Sequence, residues 1–177
     1  MGFAWSNMFV PPDEDPRTDG GFVGERDTLI GYLRDQRLTL ELKCADLDAS
    51  QLAARSVEPS PVSLLGLVRH MAGVEQSWFR VHMAGFQVPR HYRLSDDRDF
   101  DFHGATADPE VVKDAFDRWR SEIAFAEDYV DSIDDLGYLG DGGLALREVL
   151  VHMIEEYARH NGHADFLRER IDGRIGQ

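Results

Sequence analysis

Apolar residues recur at three- and four-residue intervals over four long stretches of the chain, and no segment alternates apolar with polar positions in the manner of a half-buried strand. The first stretch runs from Glu25 to about Ala45, with Leu29, Tyr32, Leu33, Leu38, Leu40 and Leu42 set among strong helix formers. The second follows Pro59 and Pro61. It extends from Ser63 to about Ala84 and carries Leu64, Leu67, Val68, Met71, Val74 and Trp78 at helical spacing. The third opens at Asp108-Pro109, an N-cap with proline at the first helical position, and continues to about Ile133 through Val112, Phe116, Trp119, Ile123, Ala126 and Val130. The fourth begins after Gly142-Gly143 and ends near Ile171, where Asp172-Gly173 supplies the stop. The segment from Gly85 to Asp108, rich in Gly, Pro and charge, is too long for a tight turn and reads as a crossover or a lid. The pattern predicts an all-α fold, a four-helix bundle with one long crossover connection, in which a site is built from side chains on facing helices. Residues 1–21 read as an irregular, turn-rich arm and residues 22–177 as the bundle domain.

Composition narrows the function classes. A formal net charge of −14 with no basic stripe argues against a nucleic-acid partner, because nothing would release counterions from a phosphate backbone. An anionic co-substrate would need a local cation, for which Arg80, Arg90, Arg93 and Arg159 are the candidates. The single cysteine, Cys44, forms no internal disulfide, reads as a small buried hydrophobe and favours a reducing compartment. The N-terminus lacks a basic n-region and no segment is apolar enough to span a bilayer, so the expectation is a cytoplasmic protein without a membrane partner. The apolar residues Trp5, Met8, Phe9 and Val10 of the arm fit either a homodimer contact or packing on the chain's own bundle.

The chemistry concentrates in H-M-I-E-E-Y-A-R-H-N-G-H, residues 152–163. At roughly 100° per residue, His152, Glu156 and His160 stack on one helical stripe, and His163 returns to it one turn later. Val149, Met153, Ala164 and Leu167 interleave with them, so the stripe borders the core, where imidazole and carboxylate need partners and a divalent cation satisfies several at once. Glu156 and His160, four apart, offer two ligands. A third must come from another helix, and His70, on the flank of the second apolar stripe, is the best candidate. By spacing alone the bland readings stand beside these: a hydrogen-bonded structural histidine at position 70, and direct pairing of Glu156 with His160. His152 could orient Glu156, act as an alternative ligand or simply sit at the core edge. Glu75 is either an acceptor near the site or the partner of an arginine such as Arg159. Trp78, Phe79 and Trp119 read as core fillers.

The second helix, S-L-L-G-L-V-R-H-M-A-G-V-E-Q-S-W-F, and the last, L-R-E-V-L-V-H-M-I-E-E-Y-A-R-H-N-G-H-A-D-F-L-R-E-R-I-D-G, resemble the DinB-like superfamily of four-helix bundles. The likeness is strongest to its actinobacterial branch, related to mycothiol-dependent maleylpyruvate isomerase and the thiol S-transferases. In that family one histidine of the second helix and two residues four apart on the fourth hold a divalent metal, which the motifs place at His70, Glu156 and His160 here. Many DinB-like proteins carry histidine at the position of Glu156. Glutamate is the choice of the thiol-using branch. His163, where the wider superfamily often has glutamine, is assigned to the substrate side as the catalytic candidate. The resemblance implies a divalent ion, zinc first and nickel as the alternative, with a low-molecular-weight thiol such as mycothiol and an electrophilic small molecule as partners. Two histidines and a carboxylate leave a tetrahedral ion one open position, at which a thiol loses its proton, giving S-transfer or cis–trans isomerisation. A non-catalytic metal-binding stress or structural bundle, and a metal-dependent hydrolase with His163 or Glu75 as base, are the alternatives.

Overall fold

A computed structural model describes residues 9–18 and 20–176; Trp5 and Met8 of the arm lie outside the described residues. The chain forms α1 (Glu25–Cys44), α2 (Ala49–Leu52), α3 (Leu64–Glu75), α4 (Phe100–His103), α5 (Pro109–Asp131) and α6 (Leu146–Asp172). There is no strand among the described residues, only an isolated antiparallel bridge between Leu139 and Ala145. The fold is therefore all-α, as the periodicity predicts.

The local chemistry at the helix ends follows the sequence. Ser63 accepts from the Gly66 N–H at the start of α3, Asp108 accepts from Glu110 N–H with Pro109 behind it at the start of α5, and α6 stops at Gly173 in the left-handed region, φ 79°. The differences from the expected pattern are also local. Residues predicted as one helix to Ala84 change winding after Glu75 and continue as a π-helical stretch, Gln76–Met83, with the Ala84 N–H bonded to the carbonyl of Phe79 five residues back. Two helices of one turn each, α2 and α4, escaped the periodicity because four residues cannot display it. Helix α2 does carry a reciprocal capping box between Asp48 and Gln51.

Helix α1 packs along α6 and α3 along α5, with α3 also meeting α6. Their shared core includes Leu40, Leu64, Met71, Phe79, Leu146 and Met153, all with essentially no exposure. Phe79 and Trp119 fill the core as expected, whereas Trp78 is only half-buried. Through this core runs a polar chain. Glu75, at 0 % exposure, receives Arg37 Nε at 2.8 Å, a second Arg37 guanidinium nitrogen at 2.9 Å and the Tyr157 hydroxyl at 2.7 Å. Trp119 Nε1 donates to that same hydroxyl at 2.8 Å. One carboxylate thereby joins α1, α3, α5 and α6. Arg159 is not its partner: that side chain stands exposed on the outer face of α6, while Glu75 points into the bundle toward α1.

The described part of the arm lies on its own bundle. The Phe9 ring is surrounded by Lys43 at 4.1 Å, Arg174 at 4.0 Å and Arg168 at 5.3 Å, while Arg17 and Thr18 bond to Thr39 and Asp35 of α1.

Removing one partner of a buried ion pair leaves the other charge without compensation, at a cost of about 3–5 kcal/mol. Glu75→Ala should lose that much stability in urea denaturation, and a double replacement of Arg37 and Glu75 by Met and Leu should be less damaging than either single change. A loss no greater than that of an exposed pair such as Arg120–Glu41 would show that the buried pair does not organise the bundle.

Candidate functional site

Helix α6 is continuous through the chemical run, and burial of Met153, Tyr157 and Ala164 fixes its rotation. That rotation aims the stripe of His152, Glu156 and His160 along the edge of the core toward α3, where His70 occupies the facing position. The His70 and His160 rings stand 4.7 Å apart between centroids. Glu156 is bracketed, with His160 Nε2 3.5 Å from one carboxylate oxygen and His152 Nε2 3.5 Å from the other. One ligand atom from each of His70, Glu156 and His160 falls within 4.8 Å of the others, and all three side chains are half-buried. His160 Nε2 and the Glu156 oxygen, 3.5 Å apart, already stand close to the separation of two ligands that share a zinc ion.

The protonation chemistry of the set suits a cation. Burial, then the charges of His70, His163 and Arg159, lower the His160 pKa to about 4, so its ring is neutral at physiological pH. His70 places Nδ1 2.8 Å from Asp101 Oδ2, which leaves Nε2 as its available nitrogen. Two imidazoles and one carboxylate could hold a divalent ion such as zinc or nickel. His163 is exposed, with its Nδ1 3.4 Å from that of His160. It therefore approaches His160 on the nitrogen opposite to Glu156, at the rim of the cluster. Aromatic rings flank both ends: Phe102 stacks on His70 at 5.2 Å, and Trp78 lies 4.4 Å from His152 and 5.1 Å from His82.

Two of these neighbours, Asp101 and Phe102, come from α4 inside the long crossover, and nothing in the hydrophobic pattern pointed to them. The crossover is more than a loose lid at this point. Arg69, buried beside His70 on α3, donates from Nε to the Asp101 carbonyl at 2.8 Å and from a terminal nitrogen to the Phe100 carbonyl at 2.8 Å. Gly66 permits the approach, since a Cβ there would sit 2.9 Å from the Phe102 ring.

The arginines proposed as anion receptors separate. Arg80 is engaged by buried Glu122 and lies over the Phe125 ring at 3.9 Å. Arg90 and Arg93 line a surface cleft of about 460 Å³ together with His91 and Arg118. Arg159, exposed on α6 one residue before His160, adds to the positive field that lowers the His160 pKa. Cys44 is buried outside the cluster, and that burial pushes its thiol up to about 12.

Comparison with known proteins bears on the same two helices. A family model described as mycothiol-S-transferase matches residues 28–173, which contain all three clustered side chains. The chain belongs to the mycothiol-S-transferase family. This agrees with the likeness read from the α3 and α6 motifs. Among solved structures, a conserved protein from Enterococcus faecalis is 16 % identical with a TM-score of 0.56, covering 82 % of this chain and 95 % of its own. It shows the fold of this family member alone. A comparison with curated proteins gives no match. No helix among the described residues is long and apolar enough to cross a membrane.

Two measurements follow from the electrostatics of this family member. In metal-free protein the His160 ring should titrate with a midpoint of about 4 by NMR. Its folded value lies below the ordinary 6.5, so the unfolded chain takes up a proton first, and stability is lost as pH falls from 6.5 toward about 4. A midpoint at or above 6.5 would show that burial and the neighbouring charges do not depress the ring's basicity. Cys44 should resist a thiol-directed reagent at pH 8 in the native protein and react completely once the chain is unfolded in guanidinium; rapid native labelling would contradict its burial.

Proposed function

We propose that this chain is a divalent-metal-dependent thiol transferase, in which His70, Glu156 and His160 hold the ion and a low-molecular-weight thiol of the mycothiol type is the co-substrate. The observation that carries this reading is the coincidence of a two-histidine, one-carboxylate cluster on α3 and α6 with the span matched by the family model. A divalent ion, zinc first, supplies there the Lewis acidity that allows a thiol to give up its proton near neutral pH.

The chain's own residues set the conditions for that chemistry. Burial keeps the His160 ring free of a proton and able to donate its lone pair. Glu156 brings a negative charge to the centre of the cluster, between His152 and His160. Phe102 lies against His70 at one end of the stripe and Trp78 against His152 at the other, giving the site apolar flanks. His163, exposed at the rim, is the residue proposed to face the substrates and to pass a proton between the cluster and solvent. The nucleophilic sulfur must come from a bound small molecule, because the chain's single cysteine is buried and held as the thiol. Transfer forms a carbon–sulfur bond at an electrophilic carbon while the leaving group departs with its bonding pair. Addition to a double bond followed by elimination of the same thiol would instead isomerise it.

His152 supports one other reading. It lies against the second oxygen of Glu156, and a fourth protein ligand there would close the coordination sphere and favour a non-catalytic metal-binding bundle.

Purified protein should bind about one zinc per chain and His160→Ala should lose most of it, since a ligand or its close support is typically worth about 10–100-fold in metal affinity. Thiol uptake below the free thiol's pKa should release a proton, and the cobalt-substituted protein should gain a sulfur-to-metal absorption band on thiol addition. His163→Gln should keep the ion and slow turnover. Full zinc occupancy in His160→Ala would remove the site, and thiol binding that ignores the ion, with no spectral change in the cobalt form, would leave the non-catalytic or hydrolytic bundle in its place.

A further inference from the structure

The shortest polar contact made by any of the three clustered side chains is to a residue outside the donor set. His70 Nδ1 meets Asp101 Oδ2 at 2.8 Å, whereas the contacts of Glu156 with its neighbouring histidines are 3.5 Å and that of His160 with His163 is 3.4 Å. The carboxylate is itself held. Arg69 fixes the main chain of α4 at Phe100 and Asp101, and the adjoining Phe102 ring stacks on His70. Neighbours on α3, Arg69 and His70, thus grip α4 by its carbonyls and by its side chain.

We propose that Asp101 is the positioning residue of the cluster, a carboxylate that keeps the His70 proton on Nδ1 and leaves the lone pair on Nε2 for an ion. This rests on the reading of His70 as a metal ligand. An imidazole can place its proton on either nitrogen, and with Nδ1 engaged by Asp101 only a proton on Nδ1 leaves a lone pair on the unengaged Nε2. A carboxylate acceptor at Nδ1 makes that choice, stops the ring from turning and raises the basicity of the opposite nitrogen. At His160, by contrast, Nδ1 faces another imidazole at 3.4 Å and the carboxylate of Glu156 stands at 3.5 Å from Nε2. His70 is therefore the pre-set member of the pair and His160 the adaptable one. Asp101 also brings a second carboxylate to the set, held one imidazole away from the ligand positions through His70. On this assignment the crossover is a working part of the centre.

The test uses the full chain with Asp101→Ala and Asp101→Asn. In metal-free wild type, ¹⁵N shifts should show the His70 proton on Nδ1. Asp101→Ala should move it largely to Nε2, and Asp101→Asn, whose amide oxygen can still accept, should lie between the two. Zinc affinity by competition with a chromophoric chelator should fall about 10–100-fold in Asp101→Ala and less in Asp101→Asn. Melting temperature serves as the control for folding, and Asp101→Asn alone carries the test if Asp101→Ala does not fold. An unchanged tautomer with unchanged zinc affinity would overturn the role of Asp101. Wild type that binds no zinc but shows the tautomer shift would refute the metal reading and leave the positioning of His70 intact.

Discussion

Glu75 lies at 0 % exposure where α3 gives way to the π-helical stretch, and its charge is tolerable there only because Arg37 and Tyr157 both reach it. Each partner comes from a different helix, and Trp119 adds a fourth by donating to the tyrosine. Helices packed through aliphatic side chains alone can rotate by small amounts at little cost. A carboxylate that must be satisfied in two directions cannot accept such freedom. Once Tyr157 is turned inward to Glu75, the preceding residue, Glu156, is placed about 100° round α6. The same constraint on α3 fixes where His70 emerges five residues earlier. The geometry of the surface cluster is thus set from inside the bundle.

The four long helices and the spacing of Glu156 and His160 were legible in the sequence because each is a local, periodic property. Position 70 was legible as a candidate because it sits on the flank of an otherwise apolar stripe. What escaped is what periodicity cannot carry. Helix α4 is a single turn, and Asp101 acquires meaning only when the crossover folds back 31 residues from His70. Arg37 and Glu75 are 38 residues apart on different helices, and an arginine in α1 gives no sign that it will be buried. The apparent alternative, Arg159, was plausible only while the rotation of α6 was unknown. Single residues with long-range partners form the part of the design that a one-dimensional pattern leaves blank.

The crossover illustrates how a segment without pattern can still be ordered. Its anchoring to α3 uses main-chain carbonyls as acceptors for Arg69 and a glycine, Gly66, as the place of close approach. Neither device depends on the identity of most residues in the segment. Composition is constrained chiefly where the segment touches Arg69: Tyr92 and Phe100 lie against its guanidinium, and a Cβ at Gly104 would sit 2.6 Å from it.

At the far end of the chain's path, Phe9 and Arg174 meet, with the guanidinium over the ring and also donating to the Phe9 carbonyl at 3.2 Å. Lys43, the last basic residue of α1, completes the arrangement by reaching both the Phe9 ring and the Gly176 carbonyl. The beginning and the end of the described polypeptide therefore act as a latch. Fraying, which in most domains proceeds separately from each terminus, is here a joint event, because peeling back either end removes the cover from the other.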